Sequence, residues 1–354
     1  MKFFKYLFFL VLILFIGVAL YFGTQDGHFS VSETREMNAP PEVVFEEVND
    51  FKNWQKWGSW MNDESLKINY PDITSGKGAF YSWSSDKDGE GAMENLYIEI
   101  NKKITQKIVF NGSLEDEGNQ VTWTFEPQNN GKSTLVSWYM EGSLNLFEKI
   151  YFATQDQSLE EMVRFMYRES LENLDAVLQK EMNEYTIETK GITNYSGGFY
   201  LYNTTASKQS EIGTKITPMI EQITDFMSEN NIPAQGNPFV IYLDWDEMSK
   251  TSIFSVGIHT SDMVILPDGS PVISGYMEAS TAIKTTLTGN YSYLTKAWET
   301  TEKYIQDGGF VKNETKHPFE VFVIKAPQEK NPSRWVTDIY IPIETNQNEY
   351  RELE

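Results

Sequence analysis

The alternation of apolar and polar positions divides the chain into an apolar head and two halves of different rhythm. The head reads MKFFKYLFFLVLILFIGVALYFGTQDG, with Lys2 and Lys5 ahead of an uncharged run from Tyr6 to Phe22. At 1.5 Å per residue, a helix over that run approaches the length that crosses a bilayer. FSVSETREM, residues 29 to 37, then alternates as a strand, and Pro40 and Pro41 mark a helix start, where a missing N–H costs nothing. The helix places Val44, Val48 and Phe51 on one face and leads into an aromatic turn carrying Trp54 and Trp57. From Leu66 to Met140 the period shortens. INYPDI, GAFYSWSS, GAMENLYIEI, KKITQKIVF, NQVTWTFEP and TLVSWYMEG each have strand composition, and together they predict an antiparallel meander. From about residue 156 a helical period returns, with Leu159, Met162, Val163, Met166, Leu171, Leu174 and Leu178 as the apolar stripe of one long closing helix.

Residues 183 to 354 contain an internal echo. PMIEQITDFMSENNIPAQGNPFVIYLDWDE resembles KAWETTEKYIQDGGFVKNETKHPFEVFVIKAP, and Phe239, Val240, Ile241 and Tyr242 align with Phe319, Glu320, Val321 and Phe322 at an offset of 80. Each half opens on a strand candidate, EYTIETKGITNYS or SGYMEASTAIKTTLTG, and ends on another, TSIFSVGIHT or WVTDIYIPIE. The echo predicts two strand-helix-strand-strand repeats about a pseudo-twofold axis, with a ligand groove between their sheets. The turn LPDGSPV, residues 266 to 272, joins the repeats, either as a plain connection or as a lid.

Composition narrows the chemistry. Lys plus Arg total 29 against 51 Asp plus Glu, a net charge of -22, which argues against a nucleic-acid partner. Apolar residues at 40% and aromatics at 14% supply two substantial cores. The absence of cysteine excludes disulfides, thiolate metal sites and thiol nucleophiles, and the three scattered histidines, His28, His259 and His317, argue against a histidine metal site. Asp86, Asp88 and Glu90 lack the spacing of a calcium loop and fit a hairpin tip. No motif implies a cofactor. Lysines before the apolar head and acids after it, Asp26 and Glu33, place the short end in the cytoplasm and residues 24 to 354 on the other side. A cleaved signal peptide and a buried helix are the rival readings of the head.

The order strand, short helices, curved antiparallel sheet and long helix, opened by NAPPEVVFEEVNDFKNWQKWGSW, resembles the START-like superfamily, also called SRPBCC or polyketide-cyclase-like. That resemblance covers residues 29 to 181 and implies a helix-grip fold with an apolar cavity. Trp54, Trp57, Trp60, Trp83, Trp123 and Trp138 either line the cavity or pack as ordinary core. TGNYSYLTKAWETTEKY, GGF, HPFEVFV and TDIYIPI resemble the GyrI-like small-molecule-binding domain, the effector-binding domain of AraC-type and MerR-type activators, over residues 184 to 344. Both resemblances imply α+β folds. Residues 1 to 23 then form a transmembrane anchor and residues 345 to 354 an acidic tail.

The second resemblance implies ligand-binding acids at Glu320 and Asp338, set in one groove walled by Tyr276, Tyr291, Trp298, Phe322 and Tyr340. An acid beneath aromatic rings suits a lipophilic cation and equally an amphipathic neutral ligand. The alternative is that both acids face solvent from half-exposed strands. The regulators carry a helix-turn-helix segment ahead of this domain, and this chain has none. The resulting expectation is a single-pass inner-membrane protein with extracytoplasmic domains that binds amphipathic or lipophilic small molecules without catalysis. A hydrolase using Glu320 as general base, and a structural protein acting through a protein partner, are its rivals.

Overall fold

The computed structural model describes residues 2–87, 89–110, 114 and 118–344. The expected acidic tail lies outside them, as does position 88 of the expected hairpin tip. The chain divides into two units, Met1–Glu181 and Met182–Glu354, each combining one antiparallel sheet with helices in an α+β arrangement.

The first unit begins with α1 (Lys2–Thr24), followed by β1 (His28–Met37), α2 (Pro41–Asn49), β2 (Lys67–Asn69), β3 (Phe80–Ser85), β4 (Gly89–Glu99), β5 (Lys103–Phe110), β6 (Asn119–Gln128) and β7 (Ser133–Ser143). Two helices, α3 (Leu146–Phe152) and α4 (Leu159–Met182), complete it. Pro41 occupies the first turn of α2, and Val44 and Val48 are fully buried beneath it. Asp50 ends α2 and accepts from Lys52 N at 3.0 Å, which starts a 3-10 turn that carries Trp54 inward. The sheet order is β1-β7-β6-β5-β4-β3-β2, so the first strand is zipped onto the last. Of INYPDI only Ile68 and Asn69 lie in a strand, since Pro71 has no N–H for a ladder. The stripe on α4 is buried at Leu171, Leu174 and Leu178, but Met162 in its first turn is exposed.

Aromatic rings fill the space under α4. Trp138 stacks between Trp123, 4.0 Å between centroids, and Tyr167 of α4 at 3.7 Å, while Trp54 and Trp57 meet both tryptophans edge-on at 6.0 to 6.2 Å. Trp60 leans on Trp54 at 5.7 Å, and Trp83 stands apart beside Tyr81 and Phe110. Trp54, Trp57, Trp123 and Trp138 are at most 1% exposed, so these four pack as core rather than as walls of an open cavity.

The second unit contains β8 (Thr186–Tyr195), β9 (Gly198–Lys208), α5 (Ile212–Glu229), β10 (Ala234–Asp246), β11 (Thr251–Thr260), β12 (Ile273–Met277), β13 (Ser280–Thr288), α6 (Leu294–Asp307), β14 (Phe319–Ile324) and β15 (Val336–Pro342). Each half is strand-strand-helix-strand-strand, one strand richer than the echo predicts. GGFYLYNTTASK supplies β9, and the second opening segment breaks at Glu278 and Ala279 into β12 and β13. The expected pair of sheets with a groove between them is instead one eight-stranded sheet, β12-β9-β11-β10-β14-β15-β13-β8, symmetric about the β10–β14 seam. The halves exchange their opening strands, since β8 pairs with β13 and β12 with β9.

That exchange bends the sheet. Only Ser196 and Gly197 link β8, at one edge, to β9 near the other, and only Glu278 and Ala279 link β12 to β13. Both short links require the two ends of the sheet to curl toward each other. The curl brings Tyr195 of β8 to His259 of β11, with the hydroxyl 2.9 Å from Nε2. Where the links cross, Gly197 adopts φ +64, and a Cβ there would lie 2.1 Å from Met277 O. The inside of the curl is filled by Phe239, Ile241, Ala282, Phe319 and Tyr340. On the other face, Val240, Val256 and Phe322 pack in one cluster with Ile220, Ile223 and Met227 of α5, and Ile283, Leu287 and Ile339 in another with Ala297 and Ile305 of α6.

Candidate functional site

Residues paired across neighbouring strands share a face, and the face alternates along each strand. Glu320 pairs with Val240 of β10 and with Ile339 of β15, so all three lie on the helix-covered face. Asp338 pairs with Val321 and Thr286 and therefore projects into the curl on the opposite face. The two acids do not share a groove. The expectation that they do fails by one residue of register, which turns a side chain through the sheet.

Glu320 is 1% exposed. Trp298, on the first turns of α6, donates its Nε1–H to Glu320 Oε1 at 2.5 Å. Tyr242 of β10 packs against Trp298 with ring centroids 5.6 Å apart, and its hydroxyl also favours the charged carboxylate, although no hydrogen bond of ordinary geometry reaches Oε2. Tyr291, in the 3-10 turn before α6, lies 5.6 Å from Phe322 and 4.6 Å from Trp335. Burial pushes the Glu320 carboxyl up to about 7, against the opposing pull of the Trp298 and Tyr242 donors. Burial and the neighbouring Glu320 carboxyl raise both the Tyr242 and the Tyr291 hydroxyls. The result is an acid at the sheet's symmetry seam with one oxygen held, one oxygen unpartnered, and aromatic rings around it.

Four of the seven expected site residues therefore belong to this face: Glu320, Trp298, Tyr291 and Phe322. Asp338 sits elsewhere, where its Oδ2 meets Lys284 Nζ at 2.8 Å and its Oδ1 accepts from Thr286 Oγ1 at 2.7 Å. Tyr340 shares that inner face, stacked on Phe319 at 4.8 Å with Lys284 Nζ 5.5 Å from its ring. Tyr276 lies on edge strand β12, four strands from β14, 59% exposed and packed on Phe199 at 5.0 Å. Tyr242 and Trp335 are site residues that the sequence pattern does not single out. The echo carries a signal for the first, because Tyr242 is the counterpart of Phe322. His259 is occupied by Tyr195 and by Phe199 O at 3.1 Å, burial lowers its pKa, and His317 is exposed. Among the described residues, no group of three or more His, Cys, Asp or Glu is placed to hold a metal ion.

Residues 28–179 match the family described as polyketide cyclase / dehydrase and lipid transport. No curated protein matches the chain. Among solved structures, the chain is similar to the EcmrR C-terminal domain at 16% identity, covering 46% of this chain and 98% of that one, with a TM-score of 0.39. It is also similar to a protein from Chromobacterium violaceum, at 20% identity over 42% of this chain and 95% of that one, with a TM-score of 0.31. Aha1 from Colwellia psychrerythraea is similar at 14% identity over 42% and 95%, with a TM-score of 0.31.

Proposed function

We propose that this chain binds amphipathic or lipophilic small molecules, cations foremost, at Glu320, without catalysis, from a single-pass anchor in the inner membrane. The observation that carries the reading is the unpartnered, buried Oε2 of Glu320 beneath Trp298, Tyr242, Tyr291 and Phe322. A carboxylate in low dielectric that lacks a counter-charge gains from any cation able to reach it, and aromatic faces add cation-π attraction. A ligand that reaches Oε1 in this reading displaces the Trp298 indole from it. In this reading residues 29–181 form a helix-grip START-like domain and residues 184–344 a GyrI-like domain. The description of the family matched by the first of these includes lipid transport, over residues 28–179 that do not contain Glu320. Among the described residues one helix, Phe3–Thr24, is long and apolar enough to cross a membrane, and the lysines preceding its apolar run favour a cytoplasmic N-terminus.

A second reading has one observation in its favour. A carboxyl pushed up to about 7 is matched to general-base work near neutral pH. Both readings are tested by titrating tetraphenylphosphonium into the full chain in lipid nanodiscs, with empty nanodiscs as blank. Saturable one-site uptake at pH 8, lost in Glu320→Gln, supports binding. Absence of saturable uptake at pH 8 sinks it, and turnover of small esters or strained rings that vanishes in Glu320→Gln replaces it with the hydrolase.

A further inference from the structure

We propose that α3 lies in the plane of the membrane surface, with Phe147 and Tyr151 seated in the headgroup layer of the bilayer that α1 crosses; this rests on the anchored reading above. The helix LFEKIYF is closed at its start by its own side chains. Asn145 accepts from Phe147 N and Glu148 N, and Glu148 reaches back to Asn145 N at 2.8 Å, a reciprocal cap. Yet none of its seven residues is buried, although five are apolar, and Phe147 and Tyr151 are 77% and 58% exposed. Positions four apart share one helix face, so the two rings form a single aromatic patch.

The place of α3 in the fold supplies its occupant. Lys149 Nζ donates to Phe22 O at 3.3 Å and to Gln25 O at 2.5 Å, the carbonyls at the end of α1. Leu144 N donates to Gly27 O at 2.8 Å, and a Cβ on Gly27 would lie 2.4 Å from Leu144 O, so the chain leaving α1 is pressed against the start of α3. The 22 residues Phe3–Thr24 rise about 33 Å as a helix, enough for the hydrocarbon core. If α1 spans, its last turn is at headgroup level, and Lys149 fixes α3 at that same level. Aromatic rings are favoured there and a lysine tip remains solvated. In water the same patch is an exposed apolar surface.

The chain lacks cysteine, so a single introduced cysteine takes a spin label uniquely. The full chain would be reconstituted in vesicles of phosphatidylethanolamine and phosphatidylglycerol and labelled in turn at Phe147→Cys, Tyr151→Cys, Ile13→Cys and Met248→Cys. Collisions with oxygen, which enters lipid, are compared with those of a water-soluble nickel chelate. Each α3 label replaces one ring and leaves the other in place. The expected result is an oxygen-to-chelate ratio at 147 and 151 about threefold or more above that at 248, which is 96% exposed. Labels at 147 and 151 as open to the chelate as 248, with 13 still shielded, overturn the surface contact and leave the anchor standing. A chelate-accessible label at 13 overturns the anchor and the contact with it.

Discussion

Glu320 faces Val240 across the β10–β14 seam, and Val240 is its own counterpart in the repeat. The pairs Phe239–Val321, Val240–Glu320 and Ile241–Phe319 place the pseudo-twofold axis between these two side chains. A near-symmetric sheet thus holds an acid on one side of its axis and a valine on the other. One substitution at the seam therefore separates a buried acid from an apolar packing position.

That position makes stability depend on pH. The folded pKa of Glu320, about 7, is above its ordinary 4.5, so the stability of the protonated form is intact below pH 4.5 and drains as pH rises toward 7. The charged form costs on the order of 3 kcal/mol at pH 8. Glu47 behaves alike in the first unit: burial, then the nearby Glu181, push it up to about 7 against Lys56, whose Nζ lies 3.1 Å from its Oε1. Glu320→Gln is expected to raise the midpoint of the second unit at pH 8 and leave it unchanged at pH 4, followed by denaturation with separate probes for the two units. An equal gain at both pH values counts against a buried charged Glu320.

The same titration sets the pH dependence of binding in the opposite direction. A cation gains from the carboxylate, so the affinity for tetraphenylphosphonium falls as pH drops through about 7. Between pH 8 and pH 5.5 the loss is about tenfold or more, and Glu320→Gln binds weakly and flatly across that range. Calorimetry at four pH values decides it; a wild-type affinity that does not move excludes Glu320 as the counter-charge.

Most of the elements were legible in the sequence, while α3, β9 and the register were not. Alternation and turn residues locate most of the strands but not β9 or the break between β12 and β13, and the 80-residue offset reveals the repeat. Whether Glu320 stands opposite Asp338 or Ile339 depends on how β14 meets β15, which no local pattern encodes. Such a one-residue difference decides which face each acid occupies. The exchange of β8 and β12 is equally non-local, since both are edge strands whose partners lie in the other half. The tryptophans were visible as a class, but only packing distances distinguish a filled interior from a lined cavity.

Because Asp338 is on the inner face, its substitution separates stability from binding. Lys284→Met leaves a 7%-exposed carboxylate with Thr286 alone and is expected to cost about 1–3 kcal/mol. Asp338→Asn is expected to keep tetraphenylphosphonium affinity within about twofold of wild type. A loss of affinity as large as that of Glu320→Gln would place both acids at one site, contrary to the register.

The crossing of the two links is tested by a pair of glycines. Gly197 and Gly236 both have positive φ, +64 and +76, so alanine carries similar backbone strain at each, about 1 kcal/mol. A methyl carbon on Gly236 would meet nothing within 4 Å, whereas at Gly197 the Met277 carbonyl is at 2.1 Å, backbone that cannot rotate aside. Gly197→Ala is therefore expected to destabilise the second unit by at least about 2 kcal/mol more than Gly236→Ala. The excess measures how tightly the exchanged strands are bound at their crossing. Equal losses in urea denaturation would show that the links pass with room to spare and that the curl is set by the strands themselves.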